Sequence, residues 1–356
     1  MPPHVDISNV DVLPNSLLSS SPIIESDAYE NKNEHKRTDD AKLSQNLKVK
    51  LKSSDSKRVV YSKESPAIRW IGVLVWPGML LVPILLSSPR SSIQYNVIFP
   101  PEWYEDENTS DRPSTLGLFL GILAVIVGQI GVLIYFFLHS HQILHNGIPI
   151  QVKGAPKYVW SDGLRTHLSQ PEGFLVLGSY LSGTWMFRLM PSSFYSFSGE
   201  IDWVKLFCSL VLQDFVQYVM HRFEHCISVE FYRLSHKPHH LFTNPKLFDA
   251  FNGSLPDTIV MILIPLYITA WCIPCNVWTY MAFGSIYANW LTLIHSEYPL
   301  PWDKFFRKIG FGTSGDHHVH HKFFTFNFGH LFLWFDKVGG TYRSPEQFPR
   351  VFTSAA

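Results

Sequence analysis

The stretch Leu206–His225, LFCSLVLQDFVQYVMHRFEH, decides how the rest of the chain is read. Up to Met220 it is an apolar run interrupted by one charge, Asp214; its end sets His221 and His225 four residues apart. On a helix those two imidazoles share a face, with Asp214 and Tyr218 on the same side seven and three positions earlier. So placed, the histidines can grip one metal or bridge two. A carboxylate inside an apolar run is costly without a partner. Asp214 is expected to accept the outer N–H of a metal-bound imidazole, orienting it and making it more basic; the other readings are a pair with some different polar group or a position nearer the interface.

Working outward, eleven of the seventeen histidines lie between His221 and His330. His236, His239 and His240 form HKPHH, His295 stands at the end of an apolar block, and His317, His318, His320 and His321 form HHVHH. Each HxxHH triad spans more than one direction on a helical turn, so it can address two metals from one side. Imidazole suits iron, copper, nickel and zinc, and three clusters supply more nitrogens than one ion can use. The pattern predicts a two-metal site rather than unligated interfacial histidines.

Composition sets the surroundings. The 356 residues are 46% hydrophobic and 15% aromatic, with zero net charge, which leaves no basic face for a nucleic-acid partner. Leu116–Leu138 is 23 residues without a charge, long enough to cross a bilayer. Trp70–Leu86 is a further candidate span; Gly173–Phe187 and Leu206–Met220 are shorter, and Ile259–Ile294, interrupted by Pro265 and Pro274, reads as a helical hairpin. The fold class expected is all-α: an integral membrane bundle of about four spanning helices plus that hairpin. Residues 1–66, polar and without apolar periodicity, read as a disordered cytosolic tail. Residues 67–170 read as N-terminal transmembrane helices and loops, 171–345 as the catalytic domain, and 346–356 as a C-terminal tail. Lys50, Lys52, Lys57, Arg58, Lys63 and Arg69 precede the first span, and Glu102, Glu105, Asp106, Glu107 and Asp111 follow it. That asymmetry puts the N-terminus and, by parity, all the histidine clusters on the cytosolic side, with the sequon at Asn108 opposite. No basic n-region opens the chain, so no cleavable signal peptide is expected. Cys272 and Cys275 form a CxxC that reads as a turn with two thiols.

HRFEH, then RLSHKPHH, then IHSEY, then DHHVHHKFFTFNFGHLFLWFDKVGGTYRSP together resemble the fatty acid hydroxylase and sterol desaturase superfamily, the last block being most similar to its sterol C-5 desaturase branch. The resemblance covers roughly residues 120–345. It implies an endoplasmic reticulum membrane enzyme, multi-pass, with two iron ions that activate oxygen, and electrons from NAD(P)H through cytochrome b5 and its reductase. Carried over residue by residue, it implies His221, His225, His236, His239, His240, His317, His320 and His321 as ligands, with His295 matching a lone intervening histidine. The chain departs from the sterol branch at Phe328 and His330, where Tyr and Gln are usual, and at Trp334-Phe335-Asp336-Lys337, where Trp-Asp-Arg is usual. His318 reads as a non-ligand, and His139, His141, His145 and His330 as unligated interfacial histidines. The aromatic run Phe323–Phe335 could line a lipid slot or anchor the chain at the membrane interface. The expectation is an oxygen-dependent oxidase that desaturates or hydroxylates a sterol. Fatty acyl or sphingoid hydroxylation, a silent lipid-binding paralogue and a zinc transporter or metal scaffold are the alternatives. Transport is the weakest of these, because it expects ionisable residues within several spans, whereas these clusters sit at helix ends.

Overall fold

The computed structural model describes residues 119, 130–131, 133–141, 143–156, 171–197 and 199–356, all within one unit, 61–356. The expected tail, the first span, the acidic loop with its sequon and most of the second span lie outside these residues. The described residues are helical, with two isolated bridges and no strand. Residues 133–140 form the end of a helical segment. Then come α1 (Pro171–Met186), α2 (Trp203–Cys226), α3 (Val229–Leu234), α4 (Leu255–Cys272), α5 (Val277–Leu293), α6 (Asp303–Lys308), α7 (Ser314–Phe323) and α8 (Trp334–Val338).

Helix α2 is the axis, and its pattern is inverted. Gln213, Asp214, Gln217, His221 and Glu224 are buried, whereas Phe207, Phe215, Val219 and Phe223 are exposed. A helix in water shows the reverse; polar groups turned inward and apolar ones outward suit contact with lipid. Asp202 starts the helix by accepting the N–H of Lys205.

Helices α4 and α5 both pack on α2. Among the described residues, α4 is the one helix long and apolar enough to cross a membrane. Pro265 does not interrupt it, contrary to the expected break; the turn Ile259–Leu263 widens to a π-helix instead. Pro265 has no N–H to give the carbonyl four residues back, that of Met261. Gln217 Nε2 supplies the missing donor at 2.9 Å, and Tyr287 of α5 donates to the other end of the same amide. One side chain of α2 thereby ties both helices. The chain breaks at Ile273–Asn276, where Cys272 and Cys275 are free thiols and Asn276 caps α5.

The last residues are packed rather than a loose tail. Phe352 and Ala356 are buried against Ile150 and Val319, and Val152 N–H and Thr353 N–H pair with Val351 O and Ile150 O. The buried apolar side chain of Phe352 draws the end of the chain beneath α7.

Candidate metal centre

Three pieces of backbone carry the histidines. His221 and His225 lie at the end of α2, and His236, His239 and His240 on a turn closed by a short 3₁₀ helix, His239–Leu241. HHVHH lies wholly within α7, which begins with a reciprocal cap between Thr313 and Asp316. His295 lies two residues past the end of α5. All nine expected ligands come together, in two groups: His221, His225, His236, His240 and His320 in one, His239, His295, His317 and His321 in the other. Helical phase sorts them. Each i, i+4 pair (221/225, 236/240, 317/321) stays in one group, because such residues share a face, while His239 and His320 fall to the opposite group from their neighbours.

Within each group the Nε2 atoms face one another. His221 and His236 are 2.8 Å apart, His225 and His240 3.1 Å, His320 and His240 3.0 Å. In the second group His317 is 3.0 Å from His295 and 3.1 Å from His321, and His295 is 3.4 Å from His239. A metal holds imidazole nitrogen at about 2.0–2.1 Å, which leaves donors at right angles roughly 3 Å apart.

For the pair His221 and His236 the outer nitrogens exclude the simpler explanation of a hydrogen bond between rings. His221, His295 and His320 place Nδ1 2.7–2.8 Å from the carbonyls of Phe328, Leu291 and Phe326, and His236 places it 2.7 Å from Asp257 Oδ1. A carbonyl only accepts, so Nδ1 carries the proton and Nε2 presents a lone pair. Lone pairs such as those of His221 and His236 repel unless a cation lies between them. A proton is not that cation: burial, reinforced by neighbouring imidazoles, holds His236, His240, His317, His320 and His321 well below the ordinary histidine range, and burial takes His239 to about 4. The donor set fits metal ions.

Asp214 corrects the expectation. Its carboxylate meets no imidazole; it accepts the backbone N–H groups of His330, Leu331 and Phe332 at 3.2, 2.7 and 2.9 Å. Buried completely, it satisfies three amides that the tight turn after α7 cannot pair internally. Asp336 does the same for Phe328 and Gly329, and Asn327 Nδ2 donates to Asp316 O and Arg343 O. A Cβ at Gly329 would lie 2.7 Å from Phe332 O, so only glycine fits. This clamped loop delivers the Phe326 and Phe328 carbonyls to His320 and His221. The Asn327-Phe328-Gly329 segment therefore acts through backbone placement.

His318, read as a non-ligand, is outside both groups: its Nε2 donates to Ser296 O at 2.9 Å and its Nδ1 accepts from Gln151 Nε2 at 3.2 Å. Other expectations change. His139 and His145 are buried and hydrogen-bonded within the protein, and His145 stacks on Tyr298 at 3.7 Å between centroids. His330 is buried with its ring 5.0 Å from that of His221. With His236, His239, His295, Gln217, Met261 and Leu291 it lines a cavity of about 40 Å³ beside both groups. The aromatic run packs inward in part: Phe328 is buried against His221 and Phe332 stacks on Trp334.

Imidazoles converging in two groups on an inside-out helical scaffold have the donor chemistry of a metal-binding, membrane-associated protein class. A family model described as Fatty acid hydroxylase matches residues 206–341. The chain is 61% identical over 292 residues to the alternative squalene epoxidase of Phaeodactylum tricornutum, covering 81% of this chain and 84% of that one. It is 26% identical to mouse lathosterol oxidase (70% and 82% covered), and 30% identical to a Delta(7)-sterol 5(6)-desaturase of Gibberella zeae (43% and 47%). No solved structure matches. The chain belongs to the fatty acid hydroxylase and sterol desaturase superfamily, on its sterol desaturase side, and is an oxidoreductase of sterol metabolism.

Proposed function

We propose that this chain is an oxygen-dependent epoxidase of squalene or a closely similar long hydrocarbon polyene. The carrying observation is the 61% identity to an alternative squalene epoxidase across most of both chains, against 24–32% for the sterol-oxidising relatives. Two iron ions, one held by His221, His225, His236, His240 and His320 and one by His239, His295, His317 and His321, would supply oxygen activation. Dioxygen, two electrons, two protons and an alkene give one epoxide and one water; one oxygen atom enters the double bond and the other leaves reduced. The electrons come from NAD(P)H through cytochrome b5 and its reductase, a route that rests on family resemblance. The endoplasmic reticulum membrane, with the histidines on the cytosolic face, suits a lipid-soluble substrate and a soluble electron supply.

The protein's own contribution is placement. The carbonyls of Phe326, Phe328 and Leu291 fix which nitrogen of each ring faces inward. Burial of the histidines keeps bulk water from the oxidant. Met261 and Leu291, lining the cavity, present apolar surface to a substrate that lacks a polar handle.

Sterol C-5 desaturation is the second reading, favoured by the match to lathosterol oxidase over 82% of that chain. Expression in cells whose own squalene epoxidase is blocked separates the two, with His320→Ala as the inactive reference. A squalene product one oxygen heavier that vanishes in the variant is the expected result. A sterol two hydrogens lighter, with squalene untouched, would replace epoxidation by desaturation.

A further inference from the structure

His236 rests on a different kind of partner from the other anchored imidazoles. His221, His295 and His320 donate to main-chain carbonyls. His236 donates Nδ1–H to the carboxylate of Asp257 at 2.7 Å, and a second carboxylate, Glu224, lies 3.4 Å from the same nitrogen. Glu224 is fully buried and comes from α2, between His221 and His225; Asp257 comes from the first turn of α4.

The surrounding backbone is built for this contact. Ser254 accepts the Asp257 N–H at 3.2 Å and donates to Ser235 O at 2.6 Å, next to His236, so carboxylate and imidazole belong to one hydrogen-bonded unit. A Cβ at Gly253 would lie 2.0 Å from Asp257 Oδ2, so this position admits the carboxylate only as glycine. A carbonyl orients an imidazole; a carboxylate also stabilises positive charge on the ring, strengthening Nε2 as a donor.

We propose that Asp257, backed by Glu224, is a positioning residue that holds His236 in its Nδ1–H form and makes it the strongest donor of the five-histidine group. The inference rests on the reading of that group as a metal site.

Asp257→Asn keeps the shape and an acceptor oxygen while removing the charge. In the purified full chain loaded with ferrous iron, competition with a chelator is expected to show iron held roughly 10–100-fold more weakly. The melting temperature of the iron-free protein is expected to stay unchanged. Asp249→Asn is the comparison, since that buried carboxylate accepts from Lys246 N–H; it should lower the melting temperature and leave iron affinity alone. Wild-type iron affinity in Asp257→Asn overturns the inference, as does an affinity loss matched by Asp249→Asn. Should Asp257→Asn fail to fold, Glu224→Gln takes its place: a smaller weakening supports the role, and unchanged affinity overturns it. His236→Ala separates the two levels. If it leaves iron affinity intact, the metal reading itself fails; if it loses iron while Asp257→Asn keeps it, only the positioning role fails.

Discussion

His295 and Ser296 are neighbours in the chain, yet they belong to two opposite kinds of histidine cluster. On the His295 side, nine imidazoles turn Nε2 toward one another, and the anchored ones commit Nδ1 to a carbonyl or carboxylate. On the Ser296 side, His139 donates to Ser296 Oγ and His318 to Ser296 O. His145 nearby has both nitrogens engaged, Nε2 with His139 O and Nδ1 with Gly147 N–H. His225 apart, both clusters are buried, and the residue type is the same. What separates a candidate ligand from a structural histidine is whether its Nε2 faces other imidazoles or is already paired with a protein oxygen.

The sharpest way to break this comparison is to remove one histidine from each side. His240→Ala deletes a nitrogen that meets both His225 and His320, and should reduce iron content and product formation by more than the roughly 100-fold typical of losing a supporting partner. His318→Gln should retain iron. Metal analysis of both purified variants checks this, and equal iron loss in the two would collapse the distinction.

A smaller effect is expected at Asp214, which the sequence had assigned to the ligand side. Asp214→Ala strands three buried amides and should destabilise the fold by about 3 kcal/mol or more, at about 1–3 kcal/mol for each unsatisfied donor. Denaturant unfolding of the iron-free protein measures it. Loss of iron at undiminished stability would return Asp214 to the imidazoles.

The smallest effect depends on pH. Burial lowers the His145 pKa from 6.5 to about 4, so the unfolded state binds the extra proton first as pH falls. Stability from its neutral form is complete above 6.5 and is lost as pH drops toward 4, a contribution of at most about 3 kcal/mol. His145→Gln lacks this dependence. Its stability deficit against wild type should therefore be largest near pH 7 and shrink toward pH 4; a deficit independent of pH would show that His145 is not held neutral.

Much of the centre was legible because it rests on local periodicity. HxxxH on a helix, HHVHH on another and the i, i+4 pairing of 236 with 240 follow from 3.6 residues per turn. The same periodicity could have divided the nine histidines into five and four. Pro265 was misread because its consequence depended on Gln217, 48 positions away, whose amide supplies the donor that proline lacks. The burial of His139 and His145 was not legible because nothing near them in the chain shows the Ser296 turn that packs on them.

By itself the sequence determined an all-helical, lipid-facing scaffold, the histidine set and the family, since these depend on composition, spacing and motif order. Only the tertiary structure decided which nitrogen each histidine turns inward, that Asp214 serves backbone amides, and that Asp257 reaches His236. A hydrogen-bond partner is chosen by three-dimensional proximity, and a buried polar group takes whichever donor or acceptor the packing brings within about 3 Å.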